Sequence, residues 1–372
     1  MKIGFEAKRI FHNKTGLGNY SRDLIRNLHN YYPDNEYYLY NPKPSNNKKF
    51  EHNLKNVFEK LPSRNLYKKF RNLWRQYFVT NDLIKDEIKI YHGLSGEIPF
   101  GLKSKNIKSV VTIHDLIFMK MPHLYSYFDR KIHFYKFKKA ANHANLIVAI
   151  SQQTKDDIVN YFKINPDKIK IIYQGCNAAF KKKYSDSEKQ NIRTKYNLPD
   201  NFILNVGTIE PRKNALFIVK AIRNIDIFLV IIGKETNYSD QIKKYISDNN
   251  MQQKVIFLKS LTIEELAIVY QMSQIFIYPS FYEGFGIPII EALYSKIPVI
   301  TSIGGVFPEA GGPNSIYINP ESTADLENEI VRLLSDENLR SIIAEKGFEF
   351  SQNFNDDNIA NQYIEIYKSL VG

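Results

Sequence analysis

Short apolar runs separated by amphipathic stretches recur along the whole chain, the pattern of βα units wound around parallel sheets. A first series predicts strands over residues 3–5, 37–40, 88–91, 109–113, 146–150 and 169–172. A second predicts them over residues 202–206, 228–232, 255–258, 275–278, 298–301 and 316–318. Between the two, residues 177–200 are polar and charged, with lysines at 181, 182 and 183 and the run Ser185-Asp186-Ser187-Glu188; they read as a linker holding one helix before Pro199. From Ala324 onward the spacing is helical, through Leu326, Ile330, Leu333 and Leu334, then Ile342 and Ile343, then Ile359, Tyr363, Ile366 and Leu370. At 372 residues the chain exceeds one comfortable core. The expectation is α/β: a doubly wound domain over residues 1–176, a linker over 177–200, a second such domain over 201–352 and a closing helix over 353–372. No internal repeat or low-complexity tract is visible.

The segment Ser280-Phe281-Tyr282-Glu283-Gly284-Phe285-Gly286-Ile287-Pro288-Ile289-Ile290-Glu291 carries the most chemistry. It leaves the apolar run 275–278 and enters a helix whose first turn accommodates Pro288. Gly284 and Gly286 expose backbone N–H groups just before that helix, where unpaired amides and the positive dipole end favour a phosphate. Glu283 and Glu291, eight positions apart, flank that spot. A surface loop with one solvated and one helical glutamate fits the same residues.

This stretch resembles the nucleotide-sugar motif of retaining glycosyltransferases of the GT-B type, family 4, whose pattern is Glu, seven residues, Glu. The resemblance implies that Glu283 contacts hydroxyls of the donor sugar and that Glu291 hydrogen-bonds the ribose, with Gly284, Phe285, Gly286 and Ile287 lining the donor. An ionised carboxylate, which only accepts, suits both tasks. The fold implied is GT-B: two Rossmann-like domains facing a cleft, the first on the acceptor side, the second holding the nucleotide sugar, and a last helix crossing back onto the first domain. Open α/β sheets bind ligands outside the carboxyl ends of their strands, in agreement.

Three further constellations occur in the family's order. Thr15-Gly16-Leu17-Gly18-Asn19-Tyr20-Ser21 follows the first strand and precedes an amphipathic helix with Leu24, Ile25 and Leu28. A plain strand-to-helix loop explains it as well, but the resemblance makes Gly16 and Gly18 neighbours of the pyrophosphate. His114 and Asp115 end the run 109–113; a structural histidine fits there, and the resemblance implies that His114 touches the donor sugar while Asp115 orients the loop. In Val206-Gly207-Thr208-Ile209-Glu210-Pro211-Arg212-Lys213-Asn214 two cations stand at a helix start, an arrangement unfavourable without an anion. The family has a phosphate-binding Arg and Lys in this turn, and Lys213 matches its lysine. Thr208 stands where many members carry arginine, which leaves Arg212 to supply the second charge. By the same resemblance, backbone near Gly233 and Leu258 holds the base. Ser295-Lys296 departs from the family's small pair at that place, and Pro308-Glu309 resembles its later Pro-Glu turn.

The net charge of +12 is unevenly spread. Residues 1–175 hold 31 Lys and Arg against 15 Asp and Glu, a net +16, whereas residues 176–372 hold 20 against 24, a net −4. Such a field suits an anionic partner or is simply a lysine-rich solvated surface. Residues 66–78 place Leu66, Phe70, Leu73, Trp74, Tyr77 and Phe78 on one helical stripe, with Lys68, Lys69, Arg71 and Arg75 elsewhere; residues 130–139 are a second basic, aromatic segment. Both read either as helices lying on anionic lipid or as core-packed helices with a charged outer face. The single cysteine, Cys176, excludes an internal disulfide and a multi-cysteine metal site. No apolar run reaches the length of a membrane span, and the first residues read straight into a strand without a signal peptide. The expectation is a cytoplasmic protein, peripheral on the inner face of the cytoplasmic membrane.

Together these features predict a metal-independent retaining hexosyltransferase that needs no cofactor beyond its nucleotide diphosphate sugar, with GDP-mannose preferred. Glu283, His114, Lys213 and Arg212 carry the chemistry, no metal ligands are assigned, and no protein nucleophile is assigned. The acceptor expected is a glycan on a lipid diphosphate, as in bacterial surface-polysaccharide assembly, and no nucleic acid is a partner. A nucleotide-sugar epimerase of the same architecture, a basic nucleic-acid-binding protein and an inactive nucleotide-sugar-binding subunit are the alternatives.

Overall fold

The computed structural model describes residues 1–13, 15–45, 50 and 54–372, with the side chain of Leu66 outside the described set. The chain forms two compact units, Met1–Gln174 with Asp356–Gly372, and Gly175–Asn355.

The first unit holds a seven-stranded, all-parallel sheet of β1 (Lys2–Glu6), β2 (Glu36–Tyr40), β3 (Val57–Lys60), β4 (Ile90–Gly93), β5 (Lys108–Ile113), β6 (Leu146–Ala149) and β7 (Ile169–Ile171), in the order β3-β2-β1-β4-β5-β6-β7. The winding direction reverses between β1 and β4, and this is where such sheets receive ligands. β3 falls outside every predicted run. It is an edge strand in which Val57 alone is buried and Phe58 is exposed, so it lacks the apolar signature of a covered strand.

The helix Asp356–Val371 belongs to this first unit, as the GT-B pattern implied. Its buried face (Ile359, Ala360, Tyr363, Ile364, Ile366 and Tyr367) lies on the helix Gly16–Tyr31 and on β4. Hydroxyls complete the fit. Tyr363 Oη is 2.6 Å from Tyr20 Oη, and Tyr367 Oη is 2.7 Å from Nδ1 of the buried His92, whose Nε2 meets Thr112 Oγ1 at 2.8 Å. Buried polar groups are tolerated because each has a partner. Gly16 and Gly18 lie inside the first turn of their helix, not in a loop ahead of it.

The second unit holds β8 (Phe202–Val206), β9 (Phe228–Ile232), β10 (Val255–Leu258), β11 (Ile275–Tyr278), β12 (Val299–Ser302) and β13 (Ile316–Ile318), all parallel, in the order β10-β9-β8-β11-β12-β13. Its switch point lies between β8 and β11. Residues 177–200, read above as a linker, are instead part of this unit. The helix Asp186–Tyr196 opens with a Ser185/Glu188 capping box and packs on the helix Ile263–Met272, where Glu265 takes both Lys195 Nζ, at 2.5 Å, and Tyr196 Oη, at 2.9 Å. The polarity that suggested a linker is that helix's solvent face; Tyr184, Ile192 and Leu198 are buried.

The stripe expected over residues 66–78 also breaks. Trp74 is fully buried and donates through Nε1 to Asp82 Oδ2 at 2.7 Å, while Phe70, Leu73 and Tyr77 remain exposed. A π-helical turn, Trp74–Phe78, changes the phase of the stripe. It brings Arg75, expected with the other cations on the charged side off the stripe, to Glu6 Oε1 and Glu97 Oε2, each at 3.2 Å. Among the described residues no helix is long and apolar enough to cross a membrane.

Candidate active site

In the second unit, Lys213 and Glu283 meet at the switch point. The chain leaves β8 through Gly207, makes a 3-10 turn over Pro211–Lys213 and enters the helix Ala215–Ala221 through Asn214, which takes the left-handed conformation that asparagine tolerates. The loop after β11 brings Glu283 alongside, and a backbone bond from Phe281 N to Arg212 O (2.9 Å) ties the two loops together. Glu283 Oε1 lies 3.0 Å from Lys213 Nζ, 2.8 Å from Arg212 Nη1 and 2.8 Å from Tyr278 Oη, which also accepts from Lys213 Nζ at 2.6 Å. Arg212 spans on to Glu210 at 2.6 Å and to the carbonyl of Tyr282.

This is a buried, internally balanced cluster. Burial by itself would raise the Glu283 pKa, yet Lys213 and Arg212 outweigh it and hold the carboxyl at about 2. Burial likewise works against the Lys213 ammonium and the Arg212 guanidinium, and Glu283 raises both above their ordinary values. The anion that two cations at a helix start require is thus supplied by the protein, by the carboxylate that the sequence pattern assigned to the sugar.

Around this cluster the strand ends form a backbone ledge. Gly233 N donates to Leu258 O (3.1 Å), Gly207 N to Ile232 O (2.9 Å) and Ile209 N to Lys234 O (2.9 Å). Gly233 is required by close approach, since a Cβ there would lie 1.8 Å from Gly207 O. Thr208 is half-buried beside Gly207, with Leu258 half-buried at the end of β10. Gly286 leads into the helix Ile287–Tyr294, with Pro288 in its first turn as expected. Gly284 is buried in the loop between Glu283 and Phe285. The Phe285 ring is buried edge-on to Phe354, so that side chain packs within the unit. Glu291, within the helix Ile287–Tyr294, accepts from Tyr270 Oη at 3.0 Å.

In the first unit, the helix Gly16–Tyr31 begins beside the carboxyl end of β1. Gly18 is pinned there, because a Cβ would fall 2.2 Å from Asn13 O and its N–H already reaches Thr15 O (2.9 Å) and Asn13 Oδ1 (3.2 Å). A Cβ at Gly16 would meet nothing within 4 Å among the described residues. Arg22, unremarked in the sequence, is buried and fixes this turn by donating to Ile10 O, Asn13 O and Asn19 Oδ1.

His114 follows β5 and is buried. Its Nε2–H donates to Leu94 O at 2.9 Å, and its Nδ1 accepts from Gln174 Nε2 at 2.9 Å. The partners fix the neutral tautomer. Burial lowers its pKa to about 4, so it holds no exchangeable charge near neutrality. Both ring nitrogens are committed within the unit, to Leu94 and Gln174. Asp115 Oδ1 accepts from Ile117 N at 3.1 Å and so shapes the loop. Tyr278, Tyr270, Gln174 and Arg22 complete these sites, and no motif announced them; an unbroken apolar run ending in tyrosine was the one hint for Tyr278.

Two all-parallel sheets of this winding, each delivering polar side chains at its carboxyl edge, are those of the GT-B fold. Residues 14–180 match the sequence profile described as Glycosyltransferase Family 4, and residues 186–350 match that of Glycosyl transferases group 1. The chain belongs to the family 4 group of glycosyltransferases. Among relatives, it is 26% identical over 395 aligned positions to O-antigen chain mannosyltransferase B of Escherichia coli, spanning all of both chains. Among solved structures, it superposes on sucrose-phosphate synthase from Thermosynechococcus elongatus with a TM-score of 0.80 at 21% identity, over 100% of this chain and 99% of the other. It superposes on Anabaena HepE in complex with UDP with a TM-score of 0.78 at 18% identity, over 99% and 100%. At these identities the structural likenesses speak to the fold.

Proposed function

We propose that the protein is a retaining, metal-independent hexosyltransferase that moves mannose from GDP-mannose to a hydroxyl of a lipid-diphosphate-linked glycan, in assembly of a bacterial surface polysaccharide. The observation that carries this reading is the Lys213–Arg212–Glu283 cluster at the switch point of the second unit. A donor diphosphate laid on the ledge at Gly207 and Gly233 takes over Lys213 and Arg212 as counter-charges, which frees Glu283 to accept from sugar hydroxyls. The C1–O bond to phosphate breaks as its charge passes to these fixed cations. The acceptor oxygen then bonds to C1 on the same face, and its proton passes to the departing phosphate oxygen. The name of the Escherichia coli relative supports mannose as the sugar, and the UDP held by Anabaena HepE supports a nucleoside diphosphate as the carrier.

A thermal-shift screen of nucleoside diphosphates and their sugars tests the donor. GDP and GDP-mannose at a hundred times their dissociation constants are expected to add about 2.7 kcal/mol of stability. Transfer is expected to survive EDTA, because cations already stand where a metal would. Stabilisation by UDP species alone, or rescue of EDTA-treated enzyme by Mg²⁺ or Mn²⁺ only, would count against this assignment.

The acceptor's location points to a membrane surface. The helix Tyr127–His143 buries only Ala140 and Ala141. Tyr127 (62% exposed), Phe128 (77%), Ile132 (52%) and Tyr135 (66%) stand out from it, interleaved with Lys131, Lys138 and Lys139. An aromatic and basic face of this kind suits the interface of an anionic bilayer, where each cation contributes on the order of 1 kcal/mol. In sedimentation with phosphatidylglycerol vesicles the protein is expected to bind, to bind less in high salt, and to lose about tenfold in affinity as Phe128→Ser/Ile132→Ser. Equal binding to neutral vesicles, or none to either, would remove the membrane from this reading.

A further inference from the structure

A second, strongly basic pocket lies in the first unit, on the carboxyl edge of its sheet. It has a volume of about 430 Å³, within the range of small-ligand sites, and Lys8, His12, Lys43, Lys69, Arg71 and Arg75 converge on it. Lys8 follows β1 and Lys43 follows β2, so the pocket opens where open α/β sheets take ligands. Among the described residues that line it there is no carboxylate. Arg75 is matched by Glu6 and Glu97, whereas Lys8, Lys43, Lys69 and Arg71 have no carboxylate at ion-pair distance among the described residues. The geometry is held, not loose. His12 Nε2–H bonds Asn41 Oδ1 (2.9 Å) and Lys43 O (3.2 Å), Arg71 Nε donates to Lys68 O (2.9 Å), and the π-helical turn Trp74–Phe78 aims Arg75 inward. Burial and the Arg75 cation depress the Lys8 ammonium by more than Glu6 and Glu97 raise it.

We infer that this pocket is an anion site, distinct from the cluster at Lys213, that holds the phosphate or diphosphate of the acceptor. Cations gathered in one concavity without carboxylate partners leave their donors open to an anion, and arginine and lysine together suit a phosphate's several oxygens. That the anion belongs to the acceptor rests on the transferase reading above; that the pocket takes an anion does not.

The test is calorimetric titration of decyl diphosphate and of inorganic pyrophosphate into the full chain, into Lys69→Gln/Arg71→Gln and into Lys213→Ala. Lys69 and Arg71 are exposed, so their replacement leaves the fold alone. At least a tenfold loss of decyl diphosphate affinity in the double variant, with retention in Lys213→Ala, is the expected result. Unchanged affinity in the double variant overturns the proposal. So does a double variant that loses phosphatidylglycerol-vesicle binding yet keeps decyl diphosphate, since the pocket would then be a headgroup contact. A Lys213→Ala protein that binds nucleoside diphosphates like wild type would count against the donor assignment while leaving this pocket standing.

Discussion

Lys213→Ala is expected to lower transfer by about a hundredfold or more while the protein stays folded. Lys213 is the ammonium held on Tyr278 and Glu283 at the switch point, and in the proposed reaction it meets the leaving phosphate beside Arg212. Its loss leaves Glu283 still paired with Arg212 at 2.8 Å, so the buried carboxylate is not abandoned. Steady-state transfer and urea unfolding of the same preparation separate the two effects. Near-normal turnover in a folded Lys213→Ala protein would defeat the site assignment.

Glu283→Ala is expected to cost both activity and stability. The sequence alone suggests a binding residue removable without harm to the fold, but the structure makes Glu283 the counter-ion of two buried cations. Removing one partner of such a pair typically costs about 3–5 kcal/mol, because the remaining charges stay buried. The denaturation midpoint should fall well below that of Lys213→Ala; equal stability of Glu283→Ala and wild type would show the cluster to be solvated. The same coupling sets a pH dependence. The folded Glu283 carboxyl is depressed to about 2 from an ordinary 4.5, so its stabilisation is fully present above pH 4.5 and is lost as pH falls toward 2. Over that window the contribution is about 3 kcal/mol, to order of magnitude. Lys213, raised from 10.5, contributes in the opposite sense: its share is full below pH 10.5 and is lost above it. Acid unfolding of Glu283→Gln should lack the component that wild type shows between pH 4.5 and 2.

The two series of apolar runs determined the two parallel sheets, since a strand covered on both faces must be apolar nearly throughout, and Phe202–Val206 or Ile275–Tyr278 announces itself on that ground. The loops after such strands also marked Glu283 and Lys213, because that is where open sheets meet ligands. What periodicity reports is burial, not the identity of a neighbour. That β8 lies against β11, and hence that Lys213 meets a carboxylate seventy positions away, depends on strand order. The same holds for Arg75, turned from an expected charged outer face onto Glu6 by one π-helical turn, and for residues 177–200, whose polar composition describes the outer face of a packed helix. His114 was legible as a residue at a strand end; only the packed structure decided that Leu94 and Gln174 claim both its nitrogens, because hydrogen-bond partners are chosen in three dimensions among groups that burial leaves no water to satisfy.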